Sequence, residues 1–226
     1  MDANDPTAVV RRGYDAVSRL YRRDDDCPDE YTPWLATLHQ RLPARASVLD
    51  LGCGCGIPVA RALAERGHRL TGVDLSEIQI NRARHLVPQA TFLHADATQI
   101  SFPDGVFDAV VCLYTLIHMP LDAQPRLISR IAWWLRPGGW LLATTGAQAW
   151  TGSEDNWLGG TATMWWSHAD AATYRDWIAQ AGLHIASEHF VQEADSGHEL
   201  FWAYRNRWTR VHRDRKLRAW NRQRQR

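Results

Sequence analysis

The chain has 226 residues, of which 45% are hydrophobic, so it is long enough for one α/β domain with a buried core and too short for a second large domain. Its 26 basic and 25 acidic side chains are unevenly placed, because residues 207–226 hold nine basic and one acidic residue, leaving 17 basic and 24 acidic residues in 1–206. No apolar run approaches membrane-spanning length and the N-terminus has no apolar signal core, so we expect a cytoplasmic protein that does not bind a membrane.

Two amphipathic helices are predicted before the first strand, over residues 7–22 and 31–42. In the first of them, apolar side chains recur at helical spacing from Val9 to Tyr21, opposite a charged face. The polar residues 22–28 separate the two helices. This pattern indicates a helical segment ahead of the main domain.

A glycine turn follows the first predicted strand, residues 47–51, whose apolar run is typical of a buried parallel strand. Gly52, Gly54 and Gly56 follow at two-residue spacing and allow a backbone with positive φ to approach a ligand closely. Such a turn between a strand and a helix is a nucleotide-binding device. Because Ile57 occupies the position of the third dinucleotide glycine, a dehydrogenase is disfavoured.

The second strand is predicted to end at Asp74, 18 residues beyond Gly56. At this point an α/β site places a carboxylate whose two oxygens accept hydrogen bonds from ribose hydroxyls. Ser76 and Gln79 form a capping box for the next helix. The remaining predicted helices cover residues 58–66, 77–86, 124–135 and 171–181, and the remaining strands cover 90–93, 107–113, 140–145, 183–191 and 198–204.

The segment Asp50-x-Gly52-x-Gly54-x-Gly56 resembles motif I of the class I S-adenosylmethionine-dependent methyltransferases. Asp74, Asp96, the pair Phe107-Asp108 and the run Leu135-Arg-Pro-Gly-Gly139 follow in the order of that family. The resemblance implies an α/β fold: a Rossmann-like, doubly wound sheet of seven mostly parallel strands, with an antiparallel last strand and helices on both faces. It also implies S-adenosyl-L-methionine as cofactor.

The domain organisation follows from the same resemblance. Residues 1–46 would form an N-terminal helical lid, and residues 47–205 the cofactor-binding core. Residues 147–168 are a tryptophan-rich insertion that should overhang the ligand-binding edge of the sheet, and residues 206–226 are a basic tail.

The cofactor residues are implied by the matching positions. Asp50 would orient the amino group of the cofactor, the glycines would pass beneath its methionine part, Asp74 would take the ribose, and Asp96 the adenine. The full set of predicted cofactor residues is Tyr21, Asp50, Gly52, Gly54, Gly56, Asp74, Leu75, Asp96, Ala97 and Leu113.

The sequence is less specific about the residues that bind the methyl acceptor and remove its proton. We predict His118 and His198 as catalytic bases, each against the alternative of an ordinary structural histidine. The predicted acceptor-binding residues include tryptophans that would stack on a planar or cationic acceptor, although core packing is the alternative for them and for the tyrosines. This set is Tyr14, Trp165, Trp166 and His168.

The leading hypothesis is methyl transfer by in-line displacement to oxygen or nitrogen of a small aromatic or amine-bearing metabolite. One alternative is an RNA or protein methyltransferase that uses the basic tail, although nucleic-acid binding is disfavoured. The other is a non-methylating, cyclase-like or regulatory S-adenosylmethionine-binding protein. We predict no metal, because Cys53 and Cys55 lie between turn glycines, and we expect a monomer or homodimer.

Overall fold

The two helices that precede the sheet have the predicted positions. The computed structural model describes residues 5–26, 29–193 and 196–207. Helix α1 (Pro6–Tyr21) begins at Asp5, whose side chain accepts a hydrogen bond from the Thr7 N–H, and helix α2 (Tyr31–Arg41) follows. The acidic side chain at the N-cap satisfies a backbone donor that the helix itself leaves unpaired.

Seven strands form one sheet in the order β3-β2-β1-β4-β5-β9-β8. Its first five members are parallel, whereas β9 runs antiparallel to both of its neighbours. The predicted α/β fold is therefore confirmed. The strands in chain order are β1 (Ser47–Leu51), β2 (Arg69–Asp74), β3 (Thr91–His94), β4 (Phe107–Cys112), β5 (Leu135–Gly146), β6 (Trp150–Glu154), β7 (Met164–His168), β8 (Leu183–Glu193) and β9 (Ser196–Arg205).

Helices cover both faces of this sheet and enclose two apolar clusters. Strand β1 contributes to both clusters, since Val48 packs on one face and Leu49 and Leu51 on the other, and all three are fully buried. This burial on both faces explains the continuous apolar run seen in the sequence. The covering helices are α3 (Val59–Glu65), α4 (Glu77–Leu86), α5 (Gln124–Trp134) and α6 (Ala171–Gln180).

Three segments differ from the sequence prediction. Strand β5 begins at Leu135, which pairs with Phe107 before the register shifts, so the predicted helix end at 135–139 is extended chain. Strands β8 and β9 pair as far as Glu193 and Ser196, because their antiparallel ladder continues into the polar turn. Strands β6 and β7 form a separate antiparallel hairpin within the tryptophan-rich insertion, where we predicted no strand.

Helix α1 and the β6–β7 hairpin lie together above the carboxyl ends of the parallel strands. A Cβ on Gly13 of α1 would lie 2.7 Å from Cε of Met164 in β7, so a larger residue there would require the Met164 side chain to shift. Backbone pairing joins the hairpin to the loop after β4, since the Ser167 N–H donates to the Ile117 carbonyl at 2.8 Å. Among the described residues, no helix is long and apolar enough to cross a membrane.

Candidate functional site

The glycine turn after β1 adopts the backbone that its sequence predicts, with positive φ at Gly52, Gly54 and Gly56. A Cβ on Gly52 would lie 1.9 Å from Oγ1 of Thr115, whose hydroxyl donates to the Leu51 carbonyl. Gly56 instead packs toward Phe92 and neighbouring core side chains. The first two glycines thus let the backbone approach the cavity, and the third serves packing.

Asp74 joins the end of β2 to this turn. Its Oδ2 accepts a hydrogen bond from the Gly54 N–H at 2.8 Å, and its Oδ1 accepts one from the Ser76 N–H at 2.8 Å. Burial raises the pKa of Asp74, while these two hydrogen bonds act in the opposite direction. Each oxygen keeps a further lone pair for a ligand hydroxyl.

A cavity of about 740 Å³, its open mouth included, follows the carboxyl ends of β1, β2 and β4. Its size is in the range of small-molecule sites, and ligands of open α/β sheets bind at this edge. We call it the main cavity. Ten of the predicted site residues line it: Tyr14, Tyr21, Gly52, Gly54, Asp74, Leu75, Asp96, Ala97, Leu113 and His118.

A smaller cavity of about 410 Å³, which we call the adjoining cavity, shares Tyr21 and Gly54 with the main cavity and is also lined by Asp50 and Arg22. Asp50 is 2% exposed, and burial, followed by the charge of Asp74, raises its pKa to about 8. Among the described residues, two buried side-chain atoms have no hydrogen-bond partner, Oδ2 of Asp50 and Nε of Arg22. Both belong to side chains that line this cavity.

His118 and Tyr14 form a hydrogen-bonded pair in the wall of the main cavity. Nδ1 of His118 lies 2.8 Å from the Trp165 carbonyl, and its Nε2 lies 3.0 Å from the Tyr14 hydroxyl. Because a carbonyl only accepts, Nδ1 carries the proton in the neutral ring, and Nε2 accepts from Tyr14. Tyr14 and His118, predicted separately from the sequence, therefore act as one unit.

The buried setting keeps both members of this pair neutral. Burial lowers the pKa of His118 to about 4. Burial, followed by the neighbouring Tyr21, raises the pKa of Tyr14. At neutral pH, His118 is therefore an unprotonated imidazole that receives a hydrogen bond.

Comparison with known proteins identifies the family. Residues 48–139 match a family model described as "Methyltransferase domain". The chain is 39% identical over 152 residues to 27-O-demethylrifamycin SV methyltransferase of Amycolatopsis mediterranei, a match that covers 58% of the chain and 55% of that relative. Residues 48–139 are therefore a methyltransferase domain, and the resemblance of this core to the S-adenosylmethionine-dependent methyltransferases is confirmed. The chain spans about half the length of this curated relative and smaller shares of others that it matches.

Solved methyltransferase structures share the fold. Magnesium protoporphyrin IX methyltransferase from Synechocystis, solved with bound S-adenosylmethionine, superposes with a TM-score of 0.69 at 22% identity, over 91% of this chain and all of that one. A [4+2]-cyclase, SpnF, superposes with a TM-score of 0.66 at 19% identity, over 87% of this chain and 94% of that one. These likenesses concern the fold alone.

The residues of the methyltransferase core fit the family's cofactor, S-adenosylmethionine. Asp50 offers a buried carboxyl oxygen that has no partner in the part of the chain that the structure describes, as the ammonium group of the cofactor requires. Asp74 lies in the main cavity with its carboxylate oriented by two backbone donors, as a diol requires. The cofactor predicted from the sequence is thus the cofactor of the family.

Trp165, Trp166 and His168 do not line the main cavity of the methyltransferase core. Trp165 contributes its carbonyl to His118, and the Trp166 ring lies 5.6 Å from the His118 ring. Nδ1 of His168 lies 2.6 Å from the Gln148 carbonyl oxygen, and burial lowers the pKa of His168. The Trp165 carbonyl and the Trp166 ring therefore lie next to His118, and the predicted contact of all three residues with an acceptor stays a prediction.

His198 lies behind the cavity wall. Its Nδ1 lies 3.2 Å from the Thr145 carbonyl and its Nε2 lies 3.5 Å from a Glu193 carboxylate oxygen. Its ring stands edge-on to that of Tyr114, which lines the main cavity, with centroids 5.2 Å apart. Both ring nitrogens thus face acceptor oxygens of the protein, and the role of His198 as a catalytic base stays a prediction.

Four residues of the site escaped the sequence prediction. Trp157 lies 5.4 Å from Tyr14 and 5.7 Å from Tyr21, ring centroid to centroid, and so joins the insertion to α1. Tyr114 directly follows β4 at the ligand-binding edge, and this position in the sequence could have identified it as a site residue. The other two carried no local signal, because they meet the site across long sequence separations: Arg22 lines the adjoining cavity together with Asp50, and Thr115 lies against Gly52.

Proposed function

We propose that the chain transfers the methyl group of S-adenosylmethionine to an oxygen or nitrogen atom of a small molecule. The observation that carries this proposal is a single cavity that connects Asp74 and Asp96 with the Tyr14–His118 pair. The acids that would bind the cofactor and the pair that would accept a proton thus line the same cavity. The name of the rifamycin relative specifies a small-molecule acceptor, which supports an acceptor of that class here.

In the proposed complex, Asp50 holds the ammonium group of the cofactor, Asp74 its ribose hydroxyls, and Asp96 its adenine. Leu75 and Ala97 line the cavity beside these acids and provide apolar contact for the adenine ring. The bound sulfonium supplies an electrophilic methyl group. The protein must therefore hold the acceptor atom close to the methyl group and collinear with the breaking bond.

The Tyr14–His118 pair can accept the proton that the methyl acceptor loses. With its O–H directed to Nε2 of His118, the Tyr14 oxygen keeps lone pairs for the X–H group of the acceptor. With S-adenosylmethionine bound, the Tyr14 oxygen would take the proton of X–H as X accepts the methyl group from sulfur, and Tyr14 would pass its own proton to Nε2 of His118. A neutral imidazole with a pKa of about 4 accepts this proton only during the transfer and releases it afterwards.

The test is incubation of the full chain with methyl-labelled S-adenosylmethionine and a panel of phenols, hydroxylated macrocycles and amines. We expect label in a small-molecule product, and no label in any of them would contradict the proposal. With a labelled acceptor, Tyr14→Phe and His118→Asn should lower kcat roughly 100-fold or more without weakening cofactor binding. His189→Asn, which changes an exposed histidine of β8, is the matched control and should retain activity.

The two alternatives have separate tests. A cyclase-like protein would bind the cofactor tightly without turnover, and the likeness of fold to a [4+2]-cyclase is the reason to test this alternative. For an RNA methyltransferase, the basic tail at residues 206–226 would matter, of which the structure describes only residues 206 and 207. Deletion of residues 208–226 should then abolish a salt-dependent association with RNA.

A further inference from the structure

Four aromatic side chains form a closed cycle of contacts around the hydrogen bond between Tyr14 and His118. Trp157 lies edge-on to Tyr14, with ring centroids 5.4 Å apart, and Tyr14 lies edge-on to His118, also at 5.4 Å. The Trp166 ring lies 5.6 Å from that of His118 and 5.9 Å from that of Trp157, which closes the cycle. We call these four residues the aromatic cycle. It joins α1, the loop after β4 and the β6–β7 hairpin.

The two partners of the hydrogen bond are held in different ways. His118 is fixed at its far nitrogen, since Nδ1 lies 2.8 Å from the Trp165 carbonyl. The ring of Tyr14 is instead enclosed by other rings, those of Tyr21, His118 and Trp157. Edge-to-face contacts between aromatic rings depend on orientation, so Trp157 restricts how the Tyr14 ring can rotate. The direction of the Tyr14 hydroxyl therefore depends on Trp157.

Trp157 is presented by a strained turn that packs on α1. Its two neighbours, Asn156 and Leu158, have φ values of 57° and 55°, in the left-handed region that a bulky side chain rarely adopts. Such strain costs free energy and persists only where surrounding contacts maintain it. Gly160 lies close against α1, because a Cβ there would be 2.9 Å from Cγ1 of Val17. The contacts of this turn with α1 thus compensate for its strain.

We propose that Trp157 is a positioning residue that holds the Tyr14 hydroxyl on Nε2 of His118. This inference rests on the proposed function, because the pair matters for catalysis only if it takes the acceptor proton. Among the described residues that line the main cavity, Tyr14 and His118 belong to the aromatic cycle and Trp157 does not. Trp157 therefore acts through Tyr14. The insertion, which lies outside the matched methyltransferase domain, thereby contributes to the reaction.

Nitrogen-15 NMR of the full chain, labelled in histidine, tests this role without any methyl acceptor. The Nε2 resonance of His118 reports whether this nitrogen accepts a hydrogen bond, and the His118→Asn spectrum identifies it. Trp157→Ala should move the resonance to the value found in Tyr14→Phe, in which the hydrogen bond cannot form. Trp157→Phe, which keeps an aromatic ring, should retain the native value. If Trp157→Ala does not fold, Trp157→Leu provides the same test with more of the volume filled.

The matched control is Trp150→Ala, because Trp150 is a half-exposed tryptophan of the same hairpin that lies outside the aromatic cycle. It should leave the His118 resonance at its native value. With a labelled acceptor, Trp157→Ala should lower kcat roughly 10- to 100-fold, since small displacements of a positioned group have effects of this size. The KM for S-adenosylmethionine should change much less, and Trp157→Phe should recover most of kcat.

Two results would overturn the proposal. A native His118 resonance in Trp157→Ala would show that Tyr14 keeps its position without Trp157. An equal shift in Trp150→Ala would assign the effect to packing of the whole insertion. If the unsubstituted chain methylates none of the acceptors, the proposed function fails, while the His118 resonance still decides whether Trp157 holds Tyr14 in place.

Discussion

Raising the pH should strengthen the binding of S-adenosylhomocysteine, and the reason lies in Asp50. Burial and the charge of Asp74 raise the pKa of Asp50 to about 8 in the free protein, so its carboxyl is mostly protonated at pH 6 to 7. An ammonium group binds the ionised form. Binding must therefore release a proton from Asp50, and a reaction that releases a proton becomes more favourable as the pH rises.

The magnitude follows from the position of this pKa. While the pH lies well below the pKa of the free protein, each pH unit changes the affinity about tenfold, which corresponds to about 1.4 kcal/mol. From pH 6 to pH 7 the dissociation constant should thus fall close to tenfold, and the increase should level off as the pH reaches about 8. An Asp50 with an ordinary carboxyl pKa would give no change in this range.

Calorimetry at pH 6 and pH 7, in two buffers of different ionisation enthalpy, measures both the affinity and the number of protons released. Titration with 5′-methylthioadenosine corrects for Asp74, because this ligand has the ribose but no amino group. Asp50→Asn should remove the pH dependence and weaken binding at pH 7. A change of less than twofold between pH 6 and pH 7, without proton release, would refute the assigned role of Asp50.

Three further predictions concern the rest of the site. Asp74→Asn should weaken S-adenosylhomocysteine binding by about 3 kcal/mol. The amide N–H donors of Asn would then face a ribose hydroxyl and the N–H of Gly54 or Ser76, which the carboxylate accepts from. Unchanged affinity by calorimetry would contradict this prediction. Gly52→Ala should destabilise the chain and abolish binding, since its Cβ would lie 1.9 Å from Oγ1 of Thr115; adding Thr115→Ala should recover part of the melting temperature, and no recovery would count against the clash. The pKa of His118 falls from its ordinary 6.5 to about 4 on folding, so the unfolded chain binds the extra proton between these values and stability rises with pH there. His118 should thus contribute about 2 kcal/mol more at pH 7 than at pH 5, and urea unfolding of His118→Asn should lack this increment.

The order of elements in the sheet could be predicted because the local signals agreed with one another. The buried run at 47–51, the glycine turn and the acid at the end of β2 each indicated the same α/β unit, and the structure contains it. The positive φ of Gly52 and Gly54 could be predicted as well, since glycine adopts it without the steric cost of a side chain. The part of the site that β1, β2 and the loops after them form could therefore be predicted from local sequence.

The acceptor side could be predicted only in part, because its geometry depends on contacts between distant segments. The pairing of Tyr14 with His118 joins residues 104 positions apart, and the tautomer of His118 depends on a carbonyl in β7. The β6–β7 hairpin was missed because its tryptophans and glycines show no clean alternation. His198 is conjectured from its position in the chain, but only the structure shows that Thr145 and Glu193 engage both of its nitrogens.

Titration of the full, unsubstituted chain with S-adenosylhomocysteine tests the central claim most directly. If the main and adjoining cavities form the cofactor site of a methyltransferase, calorimetry should show one molecule bound per chain, with binding tighter than for 5′-methylthioadenosine. Absence of binding, or equal affinity for the two nucleosides, would contradict the assignment of Asp50 to the amino-acid end of the cofactor.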